Sequence, residues 1–460
     1  MATLSRSDVI GTVLKDFYTG PIRDQLNSET ILLKRLQRNE EIVDGAYVVM
    51  PLHTGRNVGV MARRESGTLP TAGKQQYKDM RFPVRYNYGR IRLTGPVIAS
   101  SRTNRGTFAR ILDQEVRGMV RDFKNDLNRQ LFCDGSGRIG CVRATAAGAV
   151  YTISDPWDYG NQATSLKWVQ PGDRLAFEST SAASTYFSPQ NAGTTFLPAT
   201  SVNIKAKTVT FGGTVNGSVA VGQHLIRGND DAASLSVANS NLRAATTYDD
   251  GVEMMGLVGL CSGDGTSTGS FPRNAAEATW TAMSAGKVYS YWNGAATIQE
   301  LDVQKTNDSL WQGNVLGNAG VSRALTTDLM QQALDTGEQL GQAQASIIIT
   351  TYGVRRRYLD LCLAERRFVN TMELDGGFKA IDFNGIPMVP EKDCPEGMMF
   401  FLPEENIGIA RMSDFYWLDK DGAVLSRGSN VDEWEATMAL YAETFTDRRN
   451  ALVAVTDVQI

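Results

Sequence analysis

FPVRYNYGRIRLTGPVIASSRTNRGTFARILDQEVRGMVRDFKNDLNRQLF, residues 82–132, carries the two strongest periodicities in the chain. In its second half Phe108, Ile111, Leu112, Val116, Met119, Val120, Phe123, Leu127 and Leu131 recur at three- and four-residue steps, which predicts a helix over 107–133. Thr107 can cap its start and Gly135 can end it. At about 1.5 Å per residue this helix is roughly 40 Å long. Its other face mixes Arg110, Asp113, Glu115, Arg117, Arg121, Asp122, Lys124, Asp126 and Arg129, so one apolar stripe is left to lie under a sheet as a spine. The first half alternates. Phe82, Val84, Tyr86 and Tyr88 share one parity, and Arg81, Arg85 and Asn87 the other, which predicts a strand. Ile91 and Leu93 then appear on the opposite parity, so a bulge after Gly89 is expected.

Upstream, residues 46–64 read as strand, turn, strand, and ESGTLPTAGKQQYKD (65–79) reads as a loop tip. Together with 81–94 they predict a long two-stranded hairpin. Residues 56–92 hold nine basic side chains, Arg56, Arg63, Arg64, Lys74, Lys78, Arg81, Arg85, Arg90 and Arg92, against Glu65 and Asp79. A ribbon of this kind has little core and is marginal alone. It needs an acidic support, which can be nucleic acid, another domain or another subunit.

The charge of the whole chain supports that need. The formal net charge of its 460 residues is −4, but residues 1–140 hold 23 Lys and Arg against 14 Asp and Glu, and the remainder holds 23 against 36. A basic end on an acidic body invites contact with nucleic acid or with further copies of the chain.

The rest of the chain frames the hairpin and spine. Residues 21–41 suit a short amphipathic helix with Lys34, Arg35 and Arg38 on a basic face. From 142 to 260 charge falls and short β segments alternate with turns, which predicts an inserted small sandwich or barrel. Residues 262–322 are irregular. From 325 the pattern becomes mixed: a helix over 325–341, a strand at 346–351, a helix over 353–364, strands near 379–390 and 398–411, and a last pair near 431–443 and 450–459. The fold class is α+β.

Several functions lose support here. His53 and His224 are the only histidines, too few for most His-based catalytic or metal sites. Five widely spaced cysteines without a C-x-x-C pattern read as free thiols. Gly135-Ser-Gly137-Arg-Ile-Gly140 fits G-x-G-x-x-G, but it follows a helix and precedes β-like sequence, the reverse of a dinucleotide site. No acid–base constellation stands out, and Glu404-Glu405 and Asp432-Glu433-Glu435 read as solvated faces or subunit contacts. No catalytic residue, cofactor, metal or membrane partner is expected. An enzyme with an unrecognised site in 325–411 is the rival reading.

The order of elements resembles the major capsid (major head) protein of tailed bacteriophages. Three stretches carry the resemblance: ETILLKRLQRNEE (29–41), the 82–132 stretch, and NTMELDGGFKAIDFNGIPMVPEKDCPEGMMFFLPEENI (370–407). The fold is shared by tailed-phage heads, herpesvirus capsid floors and encapsulin shells. The resemblance implies an N-terminal arm (1–45), an extended hairpin loop (46–100), a peripheral-domain spine helix (101–141), an inserted β subdomain (142–260), a peripheral connection (261–324), an axial domain (325–443) and a returning peripheral strand (444–460). It implies assembly of many copies, as hexamers and pentamers, into an icosahedral shell around double-stranded DNA. Portal, scaffolding or decoration proteins are further partners. The nine basic residues of the hairpin are expected at inter-subunit contacts, and Arg23, Lys34, Arg35 and Arg38 of the arm are expected to face DNA. No large cleaved scaffolding segment is expected within the chain. Some relatives cross-link a hairpin Lys to a neighbour's Asn, and Lys74 and Lys78 lie in that region. An encapsulin-like non-viral shell is the alternative.

Overall fold

The computed structural model describes residues 32, 35–39, 43–45, 47–96, 105–133, 135, 137–145, 149–154, 156, 166–178, 186–187, 197–212, 224–228, 253–261, 297–298, 301–302, 311, 313–318, 322–364, 371–374, 378–418, 426–427 and 432–460. Most of the predicted 21–41 helix and the 262–322 stretch lie outside these residues. The described chain starts with β1 (Gln37–Asn39), runs out and back along β2 (Tyr47–Gly55) and β3 (Gln76–Pro83), and continues through β4 (Arg85–Thr94) into helix α1 (Arg105–Gln130). Next come β5 (Arg138–Thr145), β6 (Val150–Ser154), β7 (Arg174–Glu178), β8 (Leu197–Asn203), β9 (Thr208–Phe211) and β10 (His224–Gly228), with a two-residue strand, Tyr186–Phe187, beside β7. Then come the short α2 (Leu257–Cys261), β11 (Asn314–Leu316), α3 (Thr327–Gly341), β12 (Ile347–Thr350) and α4 (Tyr352–Ala364). The chain ends with β13 (Thr371–Leu374), β14 (Phe378–Phe383), β15 (Ile386–Pro390), β16 (Met399–Leu402), β17 (Ile407–Trp417), β18 (Glu433–Thr446) and β19 (Val453–Val455).

One sheet is built on β18. Strand β17 lies antiparallel on one side of it, β4 lies antiparallel on the other, and β1 adds parallel to β17. The predicted strand over 81–94 is therefore split. Its first part stays in the ribbon as β3, and its second part leaves to pair with β18. Register along β4 is unbroken from Thr94 opposite Glu433 to Arg85 opposite Ala442, so the expected bulge at Gly89 is absent. Parity never switches: Arg85, Ile91 and Leu93 are buried, while Tyr86 and Tyr88 are exposed. Arg85 can sit on the inner parity because Glu443 meets it there, its Oε2 3.1 Å from Arg85 Nε. The outer tyrosines pack edge-on against Tyr441, which also meets Tyr416, so cross-strand rings stabilise that face in place of a core. Gly89 lies against α1, where a Cβ would come within 3.0 Å of Phe123 and 3.2 Å of Met119.

A second sheet has the order β11–β19–β16–β12–β15–β14–β13. Here the expected pairing of the last two strands fails, because β18 belongs to the first sheet and β19 to the second. Strand β18 runs along β4, and β19 enters the second sheet between β11 and β16. The reason lies in composition. Val453 and Val455 pack under α3, Ala454 points to the opposite core, and a short strand that is apolar on both faces belongs at an interior position. Helices α3 and α4 cover one face, with Met330, Ala333, Val354 and Tyr358 packed on Ile348, Met388, Met399 and Phe401.

Strands β5 to β10 close into a barrel, in the order β8–β9–β6–β5–β10–β7, with β7 returning to β8. Its centre is a triad of rings: Tyr151 lies 4.9 Å from Phe177 and 5.6 Å from Phe211. Burial pushes the Tyr151 hydroxyl up to about 12, and among the described residues that hydroxyl has no hydrogen-bond partner. All five cysteines are buried, and none is in a disulfide among the described residues.

Between barrel and sheets runs a segment, 253–261, in which every residue is buried. Gly256 passes so close to the end of α1 that a Cβ would stand 2.3 Å from the Gln130 carbonyl oxygen. Two outcomes follow for chemical denaturation of the purified chain. Gly256→Ala lowers stability by about 1–3 kcal/mol through overpacking. Tyr151→Phe leaves stability unchanged or raises it by about 1 kcal/mol, since no bond is lost, whereas Phe177→Ala at the same centre costs about 3–5 kcal/mol.

Candidate functional site

The ribbon is the most exposed part of the described fold. At its base Val48, Leu52 and Met80 are buried, and β2 and β3 pair from Tyr47 opposite Pro83 to His53 opposite Tyr77. Beyond Leu52 no ribbon side chain is buried among those described, and Val58, Val60 and Leu69 are exposed by 66%, 83% and 82%. The tip is nevertheless shaped. Asn57 Oδ1 accepts from Gly59 N at 2.8 Å, and Gly67 N donates to the Arg64 carbonyl at 3.0 Å. Gly59 and Gly73 touch across the loop: a Cβ on Gly73 would lie 2.3 Å from Asn57 Oδ1, and one on Gly59 2.9 Å from Gly73 N. The two glycines pinch residues 60–72 into a closed lobe.

The nine basic residues expected on the hairpin divide into groups. Arg56, Arg63, Arg64 and Lys74 are exposed on the tip and form no ion pair among the described residues. The side chains of Lys78 and Arg81 lie outside the described set. Arg85, Arg90 and Arg92 are not on the ribbon; they lie on β4 and pair with β18. Arg85 meets Glu443, Arg90 meets Glu435, and Arg92 spans Glu433 (3.2 Å) and Glu435 (2.7 Å). Hydrogen bonds from Arg90 and Arg92 hold the Glu435 carboxyl below its usual range. The acidic runs 432–435 and 404–405, read from sequence as solvated faces or subunit contacts, thus supply partners within the chain. Of the arm residues, Arg35 forms a two-pronged pair with Glu404, its Nη2 2.8 Å from Oε2. Arg38 contributes its backbone to β1, and Arg23 and Lys34 lie outside the described residues.

A crevice of about 450 Å³ separates β4 from α1. Asn87, Tyr88 and Arg90 line one wall and Glu115, Met119, Asp122 and Asp126 the other, with Arg227 of the barrel at one end. Burial pushes the Glu115 carboxyl up. Burial acts the same way on Asp126, but Arg129 and Arg227 outweigh it and hold that carboxyl down to about 2. Arg129 in turn forms a buried two-pronged pair with Glu253, at 2.5 and 3.0 Å. Within the 325–411 region, two buried carboxylates, Glu391 and Asp393, also accept hydrogen bonds. Asp393 accepts from Asn128 (2.6 Å) and Trp168 Nε1 (3.3 Å), and Glu391 from Lys392 N (3.1 Å). These contacts tie α1, the barrel and the loop after β15 into one joint. The sequence carried no signal for the partners of Arg129 and Asn128, which lie 124 and more than 260 residues away.

Asp126 gives a pH dependence of definite sign. A carboxyl lowered from 3.8 to about 2 stabilises the fold fully above the unfolded value. Its contribution fades as pH falls from 3.8 through about 2. Acid titration of unfolding should show that Asp126→Asn is less stable at neutral pH and loses less on acidification across this window.

No family model matches the sequence, and no curated protein matches it. Among solved structures, a Microbacterium phage Oxtober96 chain has a TM-score of 0.43 at 11% identity, with all of both chains covered. The holo-SrpI encapsulin complex from Synechococcus elongatus gives 0.25 at 15% identity, covering 31% of this chain and 52% of that one. The cyanophage A-1(L) capsid asymmetric unit gives 0.51 at 12% identity and covers 95% of each chain. The chain therefore has the fold of a phage capsid chain.

Proposed function

We propose that this chain is the shell-forming structural protein of a tailed bacteriophage. Many copies assemble as hexamers and pentamers into an icosahedral capsid around double-stranded DNA, in the virion and first in the host cytoplasm. The observation that carries this reading is the ribbon tip on a capsid-type fold. Among the described residues, nothing of its own chain buries the pinched lobe, which exposes Val60 and Leu69 and carries four basic side chains. Laid on the acidic surface of a neighbour, the tip gains charge steering and apolar burial together. Each contact can be weak, because one subunit touches several others. Arg56, Arg63, Arg64 and Lys74, with Lys78 and Arg81, are the proposed contact residues, and Arg23, Lys34 and Arg38 the DNA-facing ones. Portal, scaffolding and decoration proteins are further proposed partners. The function is structural, without a catalytic step.

Size exclusion and negative-stain microscopy of the purified chain test the reading. Capsomers or shells are expected, and a monomer that persists at high concentration would refute it. Reversing Arg56, Arg63, Arg64 and Lys74 to Glu should block assembly with the fold retained. Arg85→Glu should instead unfold the chain, because removing one partner of a buried pair costs about 3–5 kcal/mol. An encapsulin-like shell is told apart by its contents, cargo protein in place of DNA.

A further inference from the structure

Helices α3 and α4 lie on the same face of the second sheet, toward opposite ends of it. Helix α3 packs over β11, β19 and β16, and α4 over β15. Their buried faces share one apolar cluster. Their outer faces carry opposite charge. Helix α3 (TDLMQQALDTGEQLG) has Asp328, Asp335 and Glu338 exposed and no basic residue. Helix α4 (YGVRRRYLDLCLA) has Arg356 and Arg357 exposed and Arg355 half-buried against the Tyr352 ring, with Asp360 as its one acid. No ion pair joins the two helices among the described residues, and each ends in an exposed leucine, Leu340 on α3 and Leu363 on α4.

We propose that the acidic face of α3 is the docking surface for the basic face of α4 on a second copy of the chain. Among the described residues these opposite charges form no ion pair within a copy. Between copies they make a head-to-tail contact, the kind that closes into a ring when the rotation permits. The alternatives are disfavoured by charge: α3 repels nucleic acid, and two α4 faces repel each other. The contact fixes the direction in which subunits follow one another around a ring. It rests on the shell reading above and adds to it the pair of faces that meet within a capsomer.

Two full-length variants test it. Arg356→Glu with Arg357→Glu makes both faces acidic, and Asp335→Arg with Glu338→Arg makes both basic. Each alone should retain the wild-type melting temperature and lose assembly about tenfold or more, because like charges now meet. Mixed in equal amounts they should assemble again, since each face then finds its opposite on the other variant. Strict alternation closes only even-numbered rings, so microscopy should show hexamers and no pentamers. Wild-type assembly by either variant alone, or a mixture of folded variants that stays unassembled, overturns the inference and leaves the shell reading standing. Wild-type chain that never assembles overturns both, and that is seen before any variant is made. The α3 variant alters no contact of the C-terminal residue, unlike Arg357, whose Nη2 donates to the Ile460 carbonyl at 3.0 Å, so a folding defect in the α4 variant leaves the α3 arm decisive.

Discussion

A connecting segment buried at every residue imposes one requirement on its surroundings: each of its backbone polar groups must find a partner away from water. Residues 253–261 meet it from three directions. The end of α1 supplies the Leu131 carbonyl to Leu257 N (2.7 Å) and the Gln130 side chain to Met254 N (3.2 Å). Strand β18 supplies Glu443 to Met255 N (2.8 Å) and Thr444 to the Met255 carbonyl. Arg449, itself fully buried, donates to the carbonyls of Gly259, Leu260 and Trp311. Burial lowers the Arg449 guanidinium to about 9, a cost accepted because three carbonyls would otherwise be stranded. Spine helix, first sheet and second sheet are thus held together through one strap. None of the three can shift without exposing it.

The same constraint explains where the basic residues go. Arginine is the side chain that can enter a core and still satisfy several acceptors at once. Arg85, Arg129 and Arg449 do so, at 6%, 3% and 0% exposure. Arg35, Arg90 and Arg92 pair nearer the surface, each with a carboxylate more than 340 residues away. Through Arg35, Arg85, Arg90, Arg92 and Arg129 the basic start of the sequence is thus folded onto its acidic remainder within one copy. What remains of that charge asymmetry in the lobe is Arg56, Arg63, Arg64 and Lys74, which form no ion pair among the described residues.

How much of this was legible depended on distance along the chain. The α1 stripe, the ribbon, and the α3 and α4 helices are local periodicities, and each is where its spacing placed it to within a few residues. Thr326 caps α3 through a 3.1 Å bond from Leu329 N, a signal of the same local kind. What the sequence concealed was pairing. Tyr86 and Tyr88 look like core residues until Tyr441, more than 350 residues on, meets them edge-on from the neighbouring strand. Arg85 looks like a surface residue until Glu443 is placed opposite. The last two strands look like a hairpin, yet they part: β18 pairs with β4 and β17, while β19, apolar on both faces, enters the interior of the second sheet. Contacts between residues hundreds of positions apart leave no trace in a single sequence.

The ribbon tip shows why folding and assembly need not compete here. A free loop of this length would lose conformational freedom on docking, at an entropic cost charged against every contact it makes. The Gly59–Gly73 pinch and the Asn57 bond remove part of that cost beforehand by shaping the lobe in the isolated chain. Preorganisation matters most where each contact is weak and many must form together, since a saving at one contact recurs at every subunit. The base of the ribbon can then serve the fold, through Val48, Leu52 and Met80, while the tip remains available to a partner. The boundary between the two roles falls where buried side chains stop.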